Sequence, residues 1–298
     1  MQIKKQITTL KSVTLVNDFN NALNAIPSTK ELVRIYNLET NKKLGQNFLL
    51  DDTITDKILF NLPSIKDKTI LEVGAGPGGL TRSILACHPK KLYAIEYDHR
   101  CIPILELIKT KAPDVLEIIQ ADALKFDENS IGIGKDEKIS IIANLPYNIG
   151  SGLVLRWLHN MSKFEFIVVM LQKEVALRLA AKVGDQDYSR LSIVAQSVAD
   201  VDIMFELGPK NFYPPPKVGS AVVRLIPKSS EKTVNLKLLG KVTQVAFNLR
   251  RKKIKTSLAS ILSESDFEQL SLDVNKRAEE LTLQDYLSIT NFIEAKSE

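Results

Sequence analysis

The sequence is poor in the residues that build disulfide frameworks and metal sites. Two of its 298 residues are cysteines, Cys87 and Cys101, and its three histidines stand apart from one another. Two cysteines are too few for a disulfide framework, and no cysteine or histidine has a partner at metal-binding spacing. We therefore expect reduced thiols, as is usual for a cytoplasmic protein, and no bound metal.

Long apolar runs are also missing. No segment approaches the ~20 apolar residues that a membrane-spanning helix needs, and the longest runs, such as Phe166–Leu171, have the length of a strand. We therefore expect no association with a membrane. Residues 1–26 lack the apolar core of a secretory signal. A loosely ordered extension is expected there, and an organellar transit peptide is the alternative, although the stretch contains no arginine.

The net charge excludes little. Forty lysines and arginines oppose 35 acidic residues, which gives a formal charge of +5. An excess of this size is compatible with a polyanionic partner but does not require one.

Short apolar runs alternate with helical patterns from about residue 68 onward. The predicted strands are Thr69–Val73, Leu92–Glu96, Val115–Gln120, Ile139–Ala143 and Phe166–Leu171. This alternation predicts an α/β fold with a parallel sheet that is covered by helices on both faces. Four residues end or follow successive strands, and they should meet in one crevice at the carboxyl edge of the sheet: Gly74, Glu96, Asp122 and Asn144.

The second half of the chain changes in character. Phe212–Pro216 is too rich in proline for a helix or a central strand and is predicted to be a rigid loop. Val218–Ile226 resembles a late strand, and a helical pattern begins near Leu236 and continues to the end. We therefore predict an extension at residues 1–26, a sheet domain at 27–227 and a small helical domain at 228–298.

A glycine-rich turn follows the first predicted strand. Gly74–Gly79, which we call the glycine loop, includes Gly76 and by itself fits NAD, FAD or S-adenosylmethionine. Glu96 is placed to accept hydrogen bonds from the ribose hydroxyls of a nucleoside cofactor. Asp122 could accept from the adenine amino group, or it could simply cap a helix.

One motif, Asn144-Leu145-Pro146-Tyr147, which we call the NLPY motif, indicates which of these cofactors is bound. The lone pair of adenine N6 is delocalised into the ring, so two acceptors must grip the amino hydrogens before N6 can attack a methyl group. The side-chain oxygen of Asn144 and a main-chain carbonyl at Leu145 or Pro146 are suitable acceptors, held ready by the rigid proline. The ring of Tyr147 can stack on an extruded base. The motif therefore predicts adenine N6 methylation by S-adenosylmethionine, and a hydride-transfer enzyme has no use for it.

Five segments carry a family resemblance: Lys43–Leu49, Leu71–Gly78, Asn144–Ile149, Phe212–Val218 and Phe247–Lys252. Together they resemble the KsgA/RsmA family, the bacterial small-subunit (16S) ribosomal RNA adenine N6,N6-dimethyltransferases, from about residue 27 to the C-terminus. The resemblance implies a Rossmann-like S-adenosylmethionine methyltransferase sheet with a small C-terminal all-helical domain.

The resemblance also implies roles for particular residues. Asn47 and Leu49 of the amino-terminal motif, Lys43–Leu49, would contact S-adenosylmethionine, and Phe212 would sandwich the target base opposite Tyr147. From the residues alone, Phe212 could equally pack against its neighbouring prolines. The implied substrate is a pair of adjacent adenosines in the 3′-terminal hairpin loop of 16S ribosomal RNA, within a pre-30S particle, and the implied enzyme is a monomer with a part in small-subunit biogenesis.

Three alternatives stay open. Erm-type enzymes methylate an adenine of large-subunit ribosomal RNA, but Leu145, Leu44-Gly45 and Arg250-Arg251-Lys252 favour the small-subunit family. DNA adenine methyltransferases commonly carry aspartate at the position of Asn144. The chain could also serve as an assembly checkpoint that binds immature small subunits, in addition to catalysis.

The helical part of the chain is polarised in charge. Residues 228–255 contain nine lysines and arginines against one acid, whereas residues 256–298 contain three against nine. Its densest basic patch contains Arg250, Arg251, Lys252 and Lys253, which could neutralise RNA phosphates. The alternative is a solvated helix face.

Overall fold

The computed structural model describes residues 20–41, 44–132, 134, 137–229 and 234–297. Its strands are β1 (Phe48–Leu49), β2 (Thr69–Val73), β3 (Lys91–Glu96), β4 (Leu116–Gln120), β5 (Ile139–Asn144), β6 (Phe164–Gln172), β7 (Ala199–Leu207), β8 (Phe212–Tyr213) and β9 (Ser220–Pro227). Within the described residues, seven of these strands form one sheet in the order β4-β3-β2-β5-β6-β9-β7.

The sheet is parallel over most of its width. β4, β3, β2, β5 and β6 run in one direction, which confirms the predicted parallel arrangement for these strands. β9 is antiparallel to β6, and the edge strand β7 is antiparallel to β9, so the expectation of a purely parallel sheet is corrected at this edge.

Helices cover both faces of the sheet. The helices are α1 (Thr29–Ile35), α2 (Asp52–Phe60), α3 (Gly79–Ala86), α4 (Ile102–Lys109), α5 (Gly150–Leu158), α6 (Lys173–Ala180), α7 (Arg190–Val198), α8 (Leu236–Asn248), α9 (Ile254–Ser257), α10 (Glu264–Gln269) and α11 (Leu283–Ser297). Successive strand residues point to opposite faces. Ile70 accordingly enters the core under α1–α4, whereas Leu71 enters the core under α5–α7. The strands are apolar on both faces because both are covered.

A second, two-stranded sheet lies beside the first. β1 and β8 pair antiparallel, with Phe48 opposite Tyr213 and Leu49 opposite Phe212. The prediction of a loop at Phe212–Pro216 is therefore wrong for its first two residues. The segment is still compatible with its prolines, since they begin where the pairing ends.

The C-terminal helices share a core with part of the sheet domain. Leu239, Ile254 and Tyr286 pack in one apolar cluster that also contains Tyr188, from the segment between α6 and α7. The Tyr188 hydroxyl donates a 3.1 Å hydrogen bond to the Leu281 carbonyl. The helical region therefore packs against the α6–α7 part of the sheet domain.

The end of the predicted extension is ordered. Residues 20–24 are helical, and Leu23 and Ile26 are buried. Arg82 of α3 donates to the main-chain carbonyls of Leu23, Ile26 and Pro27. This corrects the expectation of loose order for residues 20–26, while residues 1–19 lie outside the described residues. None of the described helices combines the length and the apolar character that crossing a membrane requires.

Candidate active site

A cavity of about 240 Å³ lies at the carboxyl edge of the parallel strands. Gly74 follows β2, Glu96 ends β3, Asp122 follows β4 and Asn144 ends β5, and all four residues line this main cavity. The sequence-based prediction that successive strand ends converge is confirmed. The cavity wall also includes Asn47, Gly76, Leu145 and Tyr147.

The glycine loop uses its own N–H groups. Gly74, Gly76 and Gly78 have positive φ angles, which glycine adopts without strain. The N–H groups of Gly74 and Ala75 donate to the Ile95 carbonyl, and that of Gly76 donates to Glu96 Oε2 at 2.7 Å. Loops that bind a pyrophosphate leave such donors free for it. The N–H groups of Gly74, Ala75 and Gly76 are therefore not available to a phosphate.

Glu96 is held firmly at the end of β3. Besides the bond from Gly76, its Oε1 accepts a 2.7 Å bond from the N–H of Asp98. Burial raises the pKa of Glu96, while these two backbone bonds lower it. Each carboxylate oxygen has a further lone pair. Glu96 can thus accept from a ribose hydroxyl without giving up its structural bonds.

Asp122 is partly exposed at the neighbouring strand end. Its Oδ1 accepts a 3.0 Å bond from the N–H of Leu124, which makes a tight turn after β4. The alternative interpretation of Asp122 was that it caps a helix. Asp122 caps this turn instead, since no α-helix begins there in the described chain. The other oxygen of Asp122, Oδ2, lies 3.9 Å from Lys125 Nζ, beyond hydrogen-bond distance, and can still accept from an adenine amino group.

A third carboxyl group lies beneath the glycine loop. Glu72 of β2 is 1% exposed and accepts a 2.7 Å bond from the Thr81 hydroxyl. Burial raises its pKa to about 8, despite the Thr81 bond. Glu72 borders a small side cavity, which shares Gly74, Gly76 and Asn144 with the main cavity. A carboxyl group with this pKa is mostly uncharged at neutral pH, and a cationic ligand beside it would favour its ionised form.

The NLPY motif offers two oxygen acceptors to a ligand. Asn144 Nδ2 donates to the Asn47 carbonyl at 3.2 Å, which leaves Asn144 Oδ1 to accept from a ligand. The Pro146 carbonyl already accepts from the N–H groups of Ile149 and Gly150 at the start of α5. Within the described residues, no hydrogen bond reaches the Leu145 carbonyl. Leu145 is thus the better candidate for the second acceptor.

The two aromatic residues lie in different surroundings. Tyr147 lines the main cavity. Phe212 is 4% exposed, packs in the same apolar core as Leu49, and is absent from the residues that line either cavity. The pairing of β8 with β1 places the Phe212 ring inside the core in this structure, and the sandwich of a base between Tyr147 and Phe212 stays a prediction.

The amino-terminal motif contributes residues to both cavities. Asn47 lines the main cavity, whereas buried Leu49 borders only the side cavity. Lys43 lies outside the described residues. Leu49 therefore borders a smaller compartment than Asn47, and its contact with the cofactor stays a prediction.

Some residues of the site were missed by the sequence reasoning. Gln46 Nε2 donates to Asp98 Oδ2 at 2.8 Å and so fastens the amino-terminal motif to the end of β3. Burial acts to raise the pKa of Asp98, but hydrogen bonds from Arg100 and Gln46 lower it to about 2. Tyr97 and Leu124 line the main cavity while 61% and 49% exposed. Their positions directly after Glu96 and close after Asp122 were the available signal.

The basic patch divides into engaged and free side chains. Arg250 pairs with Glu279 and donates to the Gln186 carbonyl, and Lys253 donates to Asn275. All four residues are exposed, but no hydrogen bond or ion pair joins the side chain of Arg251 or Lys252 to another described residue. Arg250 and Lys253 therefore also hold loops together, and phosphate binding by the four residues stays a prediction.

The chain is similar to known proteins over most of its length. The family model for ribosomal RNA adenine dimethylases matches residues 37–295. The ribosomal RNA small subunit methyltransferase A of Agrobacterium fabrum is 38% identical over 273 residues, which cover 91% of this chain and 99% of that protein. Its counterpart from Rhizobium meliloti is 40% identical over 273 residues, covering 91% and 98%.

Solved structures show the same architecture. The dimethyladenosine transferase from Plasmodium falciparum matches with a TM-score of 0.72 and 27% identity, over 83% of this chain and 97% of that one. The 23S rRNA methyltransferase ErmE matches with a TM-score of 0.63 and 20% identity, over 83% and 100%, a likeness of fold alone. Both confirm the predicted Rossmann-like methyltransferase fold. The chain belongs to the ribosomal RNA adenine dimethylase family.

Proposed function

We propose that this protein transfers methyl groups from S-adenosylmethionine to the N6 atoms of two adjacent adenosines in the 3′-terminal hairpin loop of 16S ribosomal RNA. Membership in the ribosomal RNA adenine dimethylase family supports the reaction, and the names of the relatives at 38% and 40% identity support the small subunit. The observation that carries the chemistry is the bond from Asn144 to Asn47, because it frees the Asn144 oxygen as an acceptor beside the cofactor cavity.

The cofactor supplies an activated methyl group on a sulfonium centre. The residues of this chain bind and align the two reactants. Asn144 Oδ1 and the Leu145 carbonyl accept from the amino hydrogens, which directs the N6 lone pair out of the ring plane and toward the methyl carbon. With the cofactor bound, the methyl group would pass from sulfur to N6, and N6 would then release one proton to solvent. Alignment provides most of the rate gain, so no strong base is needed.

The nucleoside end of the cofactor is assigned to the acidic strand ends. Glu96 accepts from the ribose hydroxyls and Asp122 from the adenine amino group. Gly74 and Gly76 permit close approach at the other end, where Asn47 and the backbone of Leu49 complete the wall. Tyr147 stacks on the target base. These roles fit the carboxylates of Glu96 and Asp122 in the cavity wall.

The partner in this proposal is the ribosomal RNA of a pre-30S particle, and the protein acts as a monomer in the cytoplasm. Exposed Arg251 and Lys252 contact phosphates directly, whereas Arg250 and Lys253 hold that surface in shape. We keep residue 227 as the end of the sheet domain and assign the RNA-gripping role to residues 228–298. The support is the charge polarity of this region together with the names of the relatives.

Mapping the transferred label tests the proposal. The protein is incubated with methyl-labelled S-adenosylmethionine and with under-methylated small or large ribosomal subunits. We expect dimethyladenosine at two adjacent positions of the small-subunit RNA. Label on the large subunit alone would contradict the assignment and would favour the Erm-type activity, for which the structure offers a likeness of fold only.

A further inference from the structure

The ring of Tyr147 is tethered to a distant part of the fold. Its hydroxyl forms a hydrogen bond with the Ser220 hydroxyl, with the two oxygens 2.5 Å apart. Tyr147 lies in the turn between β5 and α5, whereas Ser220 is the first residue of β9. The bond therefore connects the NLPY motif to the antiparallel edge of the sheet.

Ser220 is a fixed point. It is fully buried, and it pairs with Gln172 of β6 on one side and Leu207 of β7 on the other. A residue held between two strands cannot shift without disturbing both ladders. Its hydroxyl thus offers Tyr147 a partner whose position is set by the sheet and not by the loop.

The position of the Tyr147 ring depends on its backbone and on its side-chain torsions. The backbone around it is constrained by Pro146, whose carbonyl accepts the first bonds of α5. Burial raises the pKa of Tyr147, so the phenol stays protonated and able to donate at neutral pH. The Ser220 bond restricts the side-chain torsions, which set the tilt of the ring.

We propose that Ser220 is a positioning residue for methyl transfer, whose hydroxyl sets the tilt of the Tyr147 ring so that the ring meets the target adenine beside Asn144. This inference rests on the proposed function. It has a consequence for the two successive methylations. Unmethylated N6 offers two hydrogens to Asn144 and Leu145, but monomethylated N6 offers one. Alignment in the second transfer therefore depends more on stacking, and loss of the tether should slow the second transfer more than the first.

Two variants remove the same bond from opposite ends. Ser220→Ala deletes the serine hydroxyl, and Tyr147→Phe keeps the ring but deletes the phenol. Ser197→Ala is the matched control, because Ser197 is also buried and its hydroxyl bonds the Val194 carbonyl away from the site. Single-turnover transfer to under-methylated small subunits is followed by mass spectrometry of the released nucleosides, and cofactor affinity is measured by calorimetry.

We expect each variant to slow the second transfer roughly fivefold, the loss typical of one net hydrogen bond, so that monomethyladenosine accumulates while cofactor affinity is unchanged. The double variant should be no slower than either single one, since both remove one interaction. Wild-type ratios of mono- to dimethyladenosine in both variants, or additive losses in the double variant, would overturn the inference. If Ser220→Ala fails to fold, Tyr147→Phe decides alone. A wild-type protein that methylates no small subunit would overturn the proposed function itself and this inference with it.

Discussion

The side-chain nitrogen of Asn144 donates a hydrogen bond to the main-chain carbonyl of Asn47, 3.2 Å away. This bond joins the residue proposed to hold the target base to the motif proposed to hold the cofactor. An amide that donates from its nitrogen must present its oxygen on the other side. The orientation of Asn144 is thus set before either reactant binds.

Removal of the Asn144 side chain should abolish alignment and leave cofactor binding largely intact. For Asn144→Ala we expect transfer to slow by roughly 10²–10³-fold, the usual effect of removing a preorganised polar group that holds the reacting atoms. Asn144→Asp should also be impaired, because a carboxylate cannot donate to the Asn47 carbonyl. Single-turnover rates and calorimetric cofactor affinity test both variants, and unchanged turnover of Asn144→Ala would refute the role.

Glu96→Gln should weaken cofactor binding. A carboxylate accepts from Gly76 and Asp98 at once, whereas an amide must turn its NH₂ group toward one of those donors. We expect at least a tenfold loss of affinity for S-adenosylmethionine, measured by calorimetry. Glu117→Gln on β4, whose carboxylate pairs with Lys91 near the surface, is the control and should bind normally. Equal affinities for both variants would count against the ribose role.

Two glycine-to-alanine changes should have opposite effects on stability. Gly78 has a φ of +80°, and a Cβ there would lie 2.3 Å from Ile108 Cδ1. Strain and overpacking should together cost about 2–4 kcal/mol in Gly78→Ala. Gly240 lies within α8, where a Cβ would meet nothing within 4 Å. Gly240→Ala should stabilise the protein by up to about 1 kcal/mol. Urea unfolding measures both, and a stable Gly78→Ala protein would show that the glycine loop is less constrained.

Glu72→Gln should change the pH dependence of stability. Burial raises the folded pKa of Glu72 to about 8, above its ordinary value of 4.5. The folded protein then holds a proton that the unfolded chain releases, so this group stabilises the fold fully below about pH 4.5 and loses that contribution as the pH rises toward 8. The slope is at most about 1.4 kcal/mol per pH unit. Glutamine has no such titration. The stability of the variant relative to the wild type should therefore increase between pH 5 and 8, as measured by urea unfolding. Parallel profiles would contradict the raised pKa.

The basic patch should separate into binding and structural residues. Arg251→Glu with Lys252→Glu should lower RNA affinity and reduce the salt slope of binding, by roughly 0.7–0.9 for each phosphate that is no longer neutralised. Arg250→Gln should instead lower the thermal unfolding temperature, because it releases Glu279 and the Gln186 carbonyl. Filter binding over a salt series and thermal denaturation compare the variants. An unchanged salt slope in the double variant would remove the patch from the RNA interface.

Prediction of the site residues from the sequence was most accurate where a residue's chemistry and its position after a strand indicated the same site. Gly74, Glu96, Asp122 and Asn144 each follow a strongly apolar strand, and parallel strands bring such residues to one edge. The edge strand β7 was missed because Asp200 and Asp202 alternate with its apolar residues, so it lacks a continuous apolar run.

Contacts between distant segments could not be predicted. Nothing near Phe212 in the sequence indicates its pairing with Leu49, which buries the ring. The bond from Gln46 to Asp98 likewise joins segments that periodicity treats separately. The family resemblance indicated that the amino-terminal motif contacts the cofactor. The direction of each side chain depends on tertiary packing, which the sequence does not show.

The pairing of β1 with β8 also bears on how the protein is made. The two strands are separated by more than half of the chain, and β1 has no other strand partner in the described structure. During synthesis, the amino-terminal strand therefore cannot form its sheet pairing until β8 has left the ribosome. Contacts between such distant segments form late in folding. A nascent chain that is still being translated through the sheet domain thus lacks a finished binding site, and competence for catalysis arises only after nearly all of that domain has emerged.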